Sequence, residues 1–167
     1  MSTAITSAEA LRAGELLASR PLVRLVTEID GNGPIPPRRL AATLPDLSTL
    51  QLRTASDTAR AHGLVQLAPG AGLELTQSGL ELADLYDAMA RWARRHAIPA
   101  PVCDFSSRIR HVLGLLAPTF TGERADSSCP LDGGAGEAGL ARLRVLLIQW
   151  LADNSQVTRG PEREPVA

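Results

Sequence analysis

The stretch LPDLSTLQLRTASDTARAHGLV, residues 44–65, decides how the rest of the chain is read. Pro45-Asp46 breaks what precedes it, Ser48 is a favoured N-cap and Gly63 a favoured stop, so the residues between them predict a helix. Leu52, Ala55, Ser56 and Ala59 recur at helical spacing on one face, and their small size permits close approach to a neighbour. Thr49, Gln51, Arg53 and Thr54 stand near the front end on the polar side. Such a front end suits a helix that reads base edges in a DNA groove, and equally a face that looks at water.

Working outward, Thr6-Ser7-Ala8-Glu9 is a capping-box pattern, and it predicts a first helix over residues 7–19. Pro21 suits the first turn of a second helix carrying Leu22, Leu25, Val26 and Ile29, which Asp30-Gly31-Asn32-Gly33-Pro34 stops. Pro36 and Pro37 permit a short helix with Leu40 and Leu44 turned inward. Downstream, LVQLAPGAGLEL alternates across a Pro-Gly-Ala-Gly turn and predicts a tight hairpin from residues 64–68 and 73–75. Thr76 then caps a long helix to about residue 96, with Leu80, Leu82, Leu85, Met89 and Trp92 among its apolar members. Three helices, a hairpin and a helix are the element order of a winged helix.

From residue 22 to 95 the chain resembles the HxlR branch of the MarR-like winged-helix transcriptional regulators. That family has Gly-Pro, an apolar residue, four variable positions, Leu, then Leu-Pro-x-Ile-Ser. Here Gly33, Pro34, Ile35, Leu40, Leu44, Pro45, Leu47 and Ser48 follow that pattern without a gap. The family's next Leu and its Gly-Leu-Val are matched by Leu52 and Gly63-Leu64-Val65. Its Leu-Thr-x-x-Gly-x-x-Leu and later Trp are matched by Leu75, Thr76, Gly79, Leu82 and Trp92. The departures are local. The wing is short and uncharged, Ala55 stands where the family often has Arg while Arg53 comes two residues earlier, and no cysteine precedes Cys103 where electrophile-sensing members have one. The resemblance implies a mainly α winged helix-turn-helix core with a small β-hairpin and flanking dimerisation helices.

Composition agrees with a helical domain. The 167 residues suffice for one globular domain. The apolar fraction of 44% is dominated by Leu and Ala, and all 17 basic residues are arginine. A formal charge of −1 disfavours indiscriminate coating of nucleic acid and leaves room for a local basic face. Residues 1–20 lack a secretory pattern, and no run approaches the roughly 18 apolar residues of a membrane span. A cytoplasmic protein without membrane association is expected, with Cys103 and Cys129 as thiols.

Beyond the core, Asp104 can cap a helix with Phe105, Ile109, Val112, Leu113 and Leu116 on one stripe. The expected layout is a DNA-binding domain with flanking helices over 1–117, a flexible linker over 118–136, a dimerisation helix over 137–157 and a disordered tail over 158–167. GLARLRVLLIQWLADN, with Val145 to Ile148, Trp150 and Leu151, is apolar nearly all round, and a partner subunit is the simplest cover.

The expected function is therefore sequence-specific transcriptional regulation by a homodimer on double-stranded DNA. Arg53 is the foremost base-reading candidate, since a guanidinium bonds guanine bidentately, with Ser48, Thr49, Gln51 and Thr54 beside it. Arg38, Arg39 and Arg60 are candidate phosphate contacts. A protein-interaction module without DNA binding is the alternative, favoured by the neutral charge and bare wing. A small-molecule sensor is another, compatible with the first, with Tyr86, Trp92, Phe105 and Trp150 lining an apolar effector pocket between residues 103–116 and 137–153.

No enzyme chemistry, cofactor or metal is expected. LDGGAGEAG at 131–139 has the glycines of a methyltransferase loop, but ERADSSCP before it supplies no strand. His96, Cys103 and His111 lack metal-ligand spacing. Cys103 reads as a small hydrophobe rather than a redox switch, and His62 as a helix C-terminal residue.

Overall fold

The computed structural model describes residues 5–96, 105–117 and 134–159. Helix α1 (Ser7–Leu17) opens on the expected capping box: Thr6 Oγ1 accepts from the Glu9 amide, and Glu9 Oε2 accepts from the Thr6 amide at 2.9 Å. Helix α2 (Arg20–Asn32) has Pro21 in its first turn and buries Leu22, Val23, Leu25, Val26 and Ile29. A 3-10 turn over Pro37–Arg39 leads into the one-turn helix α3 (Leu40–Thr43), which buries Leu40.

Helix α4 (Thr49–Ala61) begins where Ser48 caps it and buries Leu52, Ala55 and Ala59. Leu47 and Leu52, the two positions at which a hydrophobic staple forms, are both buried. Strands β1 (Val65–Ala68) and β2 (Gly72–Leu75) make the antiparallel hairpin, with Val65 opposite Leu75 and Ala68 opposite Gly72. Ile35 adds a bridge, since its N–H and C=O both pair with Leu73 at 2.9 Å. Gly72 permits this contact: its φ is +110°, and a Cβ there would stand 2.5 Å from the Ile35 carbonyl oxygen.

Helix α5 (Gln77–Arg95), capped by Thr76, runs through the centre of the molecule. Helices α6 (Phe105–Leu116) and α7 (Ala135–Asp153) both pack on it, and α8 (Ser155–Arg159) returns to α1. One apolar core runs from Ala13 to Val157, so α7 shares the core of the helices that precede it. The fold is mainly helical with one small two-stranded antiparallel hairpin.

The C-terminal third differs from the sequence expectation. Helix α7 starts at Ala135, inside the expected linker, and α8 carries Val157 and Thr158, both buried, across the point where a tail was expected. Leu143, Leu147, Trp150 and Leu151 point into the chain's own core, whereas Val145, Leu146 and Ile148 are 64%, 47% and 45% exposed. Leu80, expected in the core of α5, is exposed as well. Only one side of α7 is buried, and an unbroken apolar run does not say which side. Residues 118–133 of the expected linker, the tail from 160, Cys103, Cys129 and the Asp104 cap lie outside the described residues.

Candidate nucleic-acid interface

Ser48 and Gln51 close a reciprocal cap at the front of α4. Ser48 Oγ accepts from the Gln51 amide at 3.2 Å, and Gln51 Oε1 accepts from the Ser48 amide at 2.9 Å. Both oxygens accept within the cap, so these two residues hold the helix end, and the Gln51 side-chain nitrogen and the Ser48 hydroxyl proton are left to donate outward. The turn before them is tied to α2: Arg24 Nε and Nη2 donate to the two carboxylate oxygens of Asp46 at 3.0 Å each, and Arg20 Nη2 donates at 3.2 Å. The Arg24 hydrogen bond holds the Asp46 carboxyl below the usual carboxylate range.

With Leu52, Ala55 and Ala59 turned inward, helical geometry at about 100° per residue puts Leu50, Arg53, Thr54, Asp57 and Ala61 on the outward face. All five are exposed. Thr49 and Arg60 lie at one edge of that face. The side chains of Arg53, Asp57 and Arg60 make no hydrogen bond or ion pair among the described residues. A depression of about 280 Å³ separates α4 from the hairpin, and Thr49, Arg53, Asp57, Arg60, Pro37 and Leu67 are among the residues around it. Arg38 and Arg39 sit exposed on the 3-10 turn. The structure thus gathers Arg53, Thr49 and Arg60 round one depression, with Thr54 on the same outward face.

Sequence reading passed over three residues of this surface: Leu50, 72% exposed, Leu67 of β1, 55% exposed, and Asp57. Leu50 could have been found from its register, since it falls between Thr49 and Gln51 and outside the stripe of Leu52, Ala55 and Ala59. The hairpin turn, Pro69-Gly70-Ala71, carries no charge. The far end of α4 is anchored by His62, which is buried with Nδ1 3.0 Å from the Gln156 carbonyl oxygen. A carbonyl only accepts, so Nδ1 carries the proton and α8 is pinned to the end of α4.

Among the described residues, the four aromatic effector-pocket candidates make separate contacts. Tyr86 is fully enclosed and donates to the Leu17 carbonyl at 2.6 Å. Trp92 donates from Nε1 to the Gly136 carbonyl at 3.1 Å, and Trp150 from Nε1 to the Ser78 carbonyl at 3.2 Å. Phe105 packs half-buried against the core. A cavity of about 560 Å³ lies between α1 and α6, where Ala10, Gly14, Glu15, Arg110, His111 and Gly114 are among its walls. Gly136 and Gly139, from the glycine-rich stretch, are helical residues seated against His96 and Trp92.

Among the described residues no three His, Cys, Asp or Glu side chains could hold a metal ion, and no helix is long and apolar enough to cross a membrane. No protein-family model, curated protein or solved structure matches the chain.

Proposed function

We propose that this chain is a winged helix-turn-helix transcriptional regulator that binds specific DNA as a homodimer. The observation that carries the reading is the outward face of α4. It is a helix capped at its front, braced from behind by the Arg24–Asp46 pair, and presents Arg53 with no partner among the described residues. Helix α4 inserts into the major groove, where Arg53 takes a guanine bidentately, and Thr49 and Thr54 stand within the same face. Arg38 and Arg39 on the turn before α3, with Arg60 near the end of α4, hold phosphates. The exposed Val145, Leu146 and Ile148 of α7 support a subunit interface.

Fluorescence anisotropy on DNA flanking the gene and on scrambled duplexes, at several salt concentrations, tests the assignment. Arg53→Ala loses about 1–3 kcal/mol on the specific site and relaxes preference at one base pair. Equal specificity in wild type and Arg53→Ala removes base reading by this residue. Absence of salt-dependent binding to any duplex leaves a protein-interaction module.

The cavity between α1 and α6 favours the compatible addition of a small-molecule effector, because about 560 Å³ falls within the usual size of such sites. Its open walls mix apolar atoms with Glu15, Arg110 and His111, none of which is paired among the described residues. Calorimetric titration with small amphipathic acids, repeated on Arg110→Ala, tests that addition.

A further inference from the structure

We infer that Leu50 reads the 5-methyl group of a thymine within one or two base pairs of the guanine taken by Arg53. The inference rests on the DNA-binding reading of α4 and names part of the sequence that α4 selects. Leu50 is the most exposed large apolar side chain among the described residues, at 72%. At about 100° per residue it stands opposite the buried Ala59, at the centre of the outward face. It has no evident structural role there. The staple positions belong to Leu47 and Leu52, both buried, and the cap belongs to Ser48 and Gln51.

The chemistry of the face narrows what Leu50 meets. Arg53 and Thr54 lie beside it one turn on, so the surface it would touch is one that also offers hydrogen-bond acceptors. In the major groove the apolar feature of a base edge is the thymine methyl, while guanine offers O6 and N7 to an arginine. Leu50 and Arg53 are three residues apart, about 4.5 Å along the helix axis, against about 3.4 Å for one base-pair step. The thymine therefore lies within one or two base pairs of the guanine. A leucine that loses water against a methyl loses nothing polar, so the contact discriminates without any bond that water could replace.

The test uses the full chain and needs no known operator. Duplexes are selected from a randomised library by the wild-type protein, and each selected thymine is then replaced singly by deoxyuridine, which lacks only the methyl. One thymine per half-site is expected at which deoxyuridine weakens wild type about fourfold, the value of one buried methyl. At that position Leu50→Ala binds thymine and deoxyuridine alike, and Leu67→Ala keeps the wild-type preference. Insensitivity of wild type at every thymine, equal sensitivity in Leu50→Ala, or loss of the preference in Leu67→Ala each overturns the assignment while leaving DNA binding intact. A library that yields no enriched sequence removes the DNA-binding reading, and Leu50's role with it. Circular dichroism of Leu50→Ala guards the comparison, since an exposed Leu-to-Ala change in a helix keeps the fold.

Discussion

The indole nitrogen of Trp92 donates to the main-chain carbonyl of Gly136, and one turn further along α7 Gly139 sits against the same ring. A Cβ at Gly139 would stand 2.8 Å from Trp92 Cδ1 and 2.9 Å from Nε1. A ring held by a buried hydrogen bond cannot swing aside, so Gly139→Ala forces α7 away from α5. Overpacking costs about 1–3 kcal/mol, and the better helix propensity of alanine returns at most about 1. The expected result is a net loss of up to about 2 kcal/mol in urea denaturation. Gly114 of α6, with open space where its Cβ would go, is the contrast, and Gly114→Ala gains about 0.4–1 kcal/mol.

Tyr86 donates to the Leu17 carbonyl, one of the last carbonyls of α1, which find no partner inside the helix. Tyr86→Phe leaves that oxygen without its donor and costs about 1–2 kcal/mol. Burial also pushes the Tyr86 hydroxyl well above its ordinary value, so the folded chain keeps a proton that the unfolded chain releases above about pH 10. The sign follows: above that pH the unfolded state binds fewer protons and stability falls as pH rises, by up to about 1.4 kcal/mol per unit. Below it the group contributes no pH dependence. Denaturation of wild type and Tyr86→Phe across that range checks this, because the variant lacks this part of the slope.

Helix α7 lets the proposed homodimer be tested apart from folding. Val145 and Ile148 face outward while Leu147 and Trp150 are buried within the subunit. Val145→Glu with Ile148→Glu places carboxylates in an apolar subunit interface and shifts a homodimer to monomer in sedimentation velocity, with the monomer's circular dichroism unchanged. Leu147→Glu buries a charge in the chain's own core and lowers stability by several kcal/mol whatever the oligomeric state. A wild-type chain that sediments as a monomer at micromolar concentration overturns the homodimer.

Much of this fold can be read from caps and breakers. Thr6 with Glu9, the Ser48 cap, and the Gly-rich turn between β1 and β2 act over three or four residues, and the structure has each where the sequence puts it, whereas Gln51, read as a base contact, closes the cap with Ser48. What resisted reading depends on distant partners. The Ile35–Leu73 bridge is a single residue pair with no periodicity, the packing of α8 on α1 joins segments nearly a chain length apart, and His62 meets Gln156 across 94 residues. The sidedness of α7 is hidden for a related reason. Where every residue in a run is apolar, burial is chosen by the neighbour, here α5. On α4 the polar residues were legible, but the one leucine among them was hidden by the habit of counting apolar residues as core.

Salt dependence supplies the last prediction. In the proposed complex Arg38, Arg39 and Arg60 hold phosphates, and the hairpin turn adds no charge of its own. Arg20 and Arg24 are committed to Asp46 on the turn before α4. Three phosphates per subunit make six per dimer, and at about 0.9 per phosphate the slope of log affinity against log salt is about −5. Arg38→Ala, Arg39→Ala and Arg60→Ala each remove two contacts per dimer and flatten that slope by close to two, on specific and scrambled duplexes alike. Arg53→Ala behaves oppositely: it lowers affinity for the selected duplex and leaves the slope on scrambled DNA unchanged, because a base contact displaces no counterion. Anisotropy titrations of the four variants at four or more salt concentrations separate the two classes. A slope unchanged in all three flanking variants would move the phosphate contacts off this surface, and a flattened slope in Arg53→Ala on scrambled DNA would turn Arg53 from a reader of bases into a holder of the backbone.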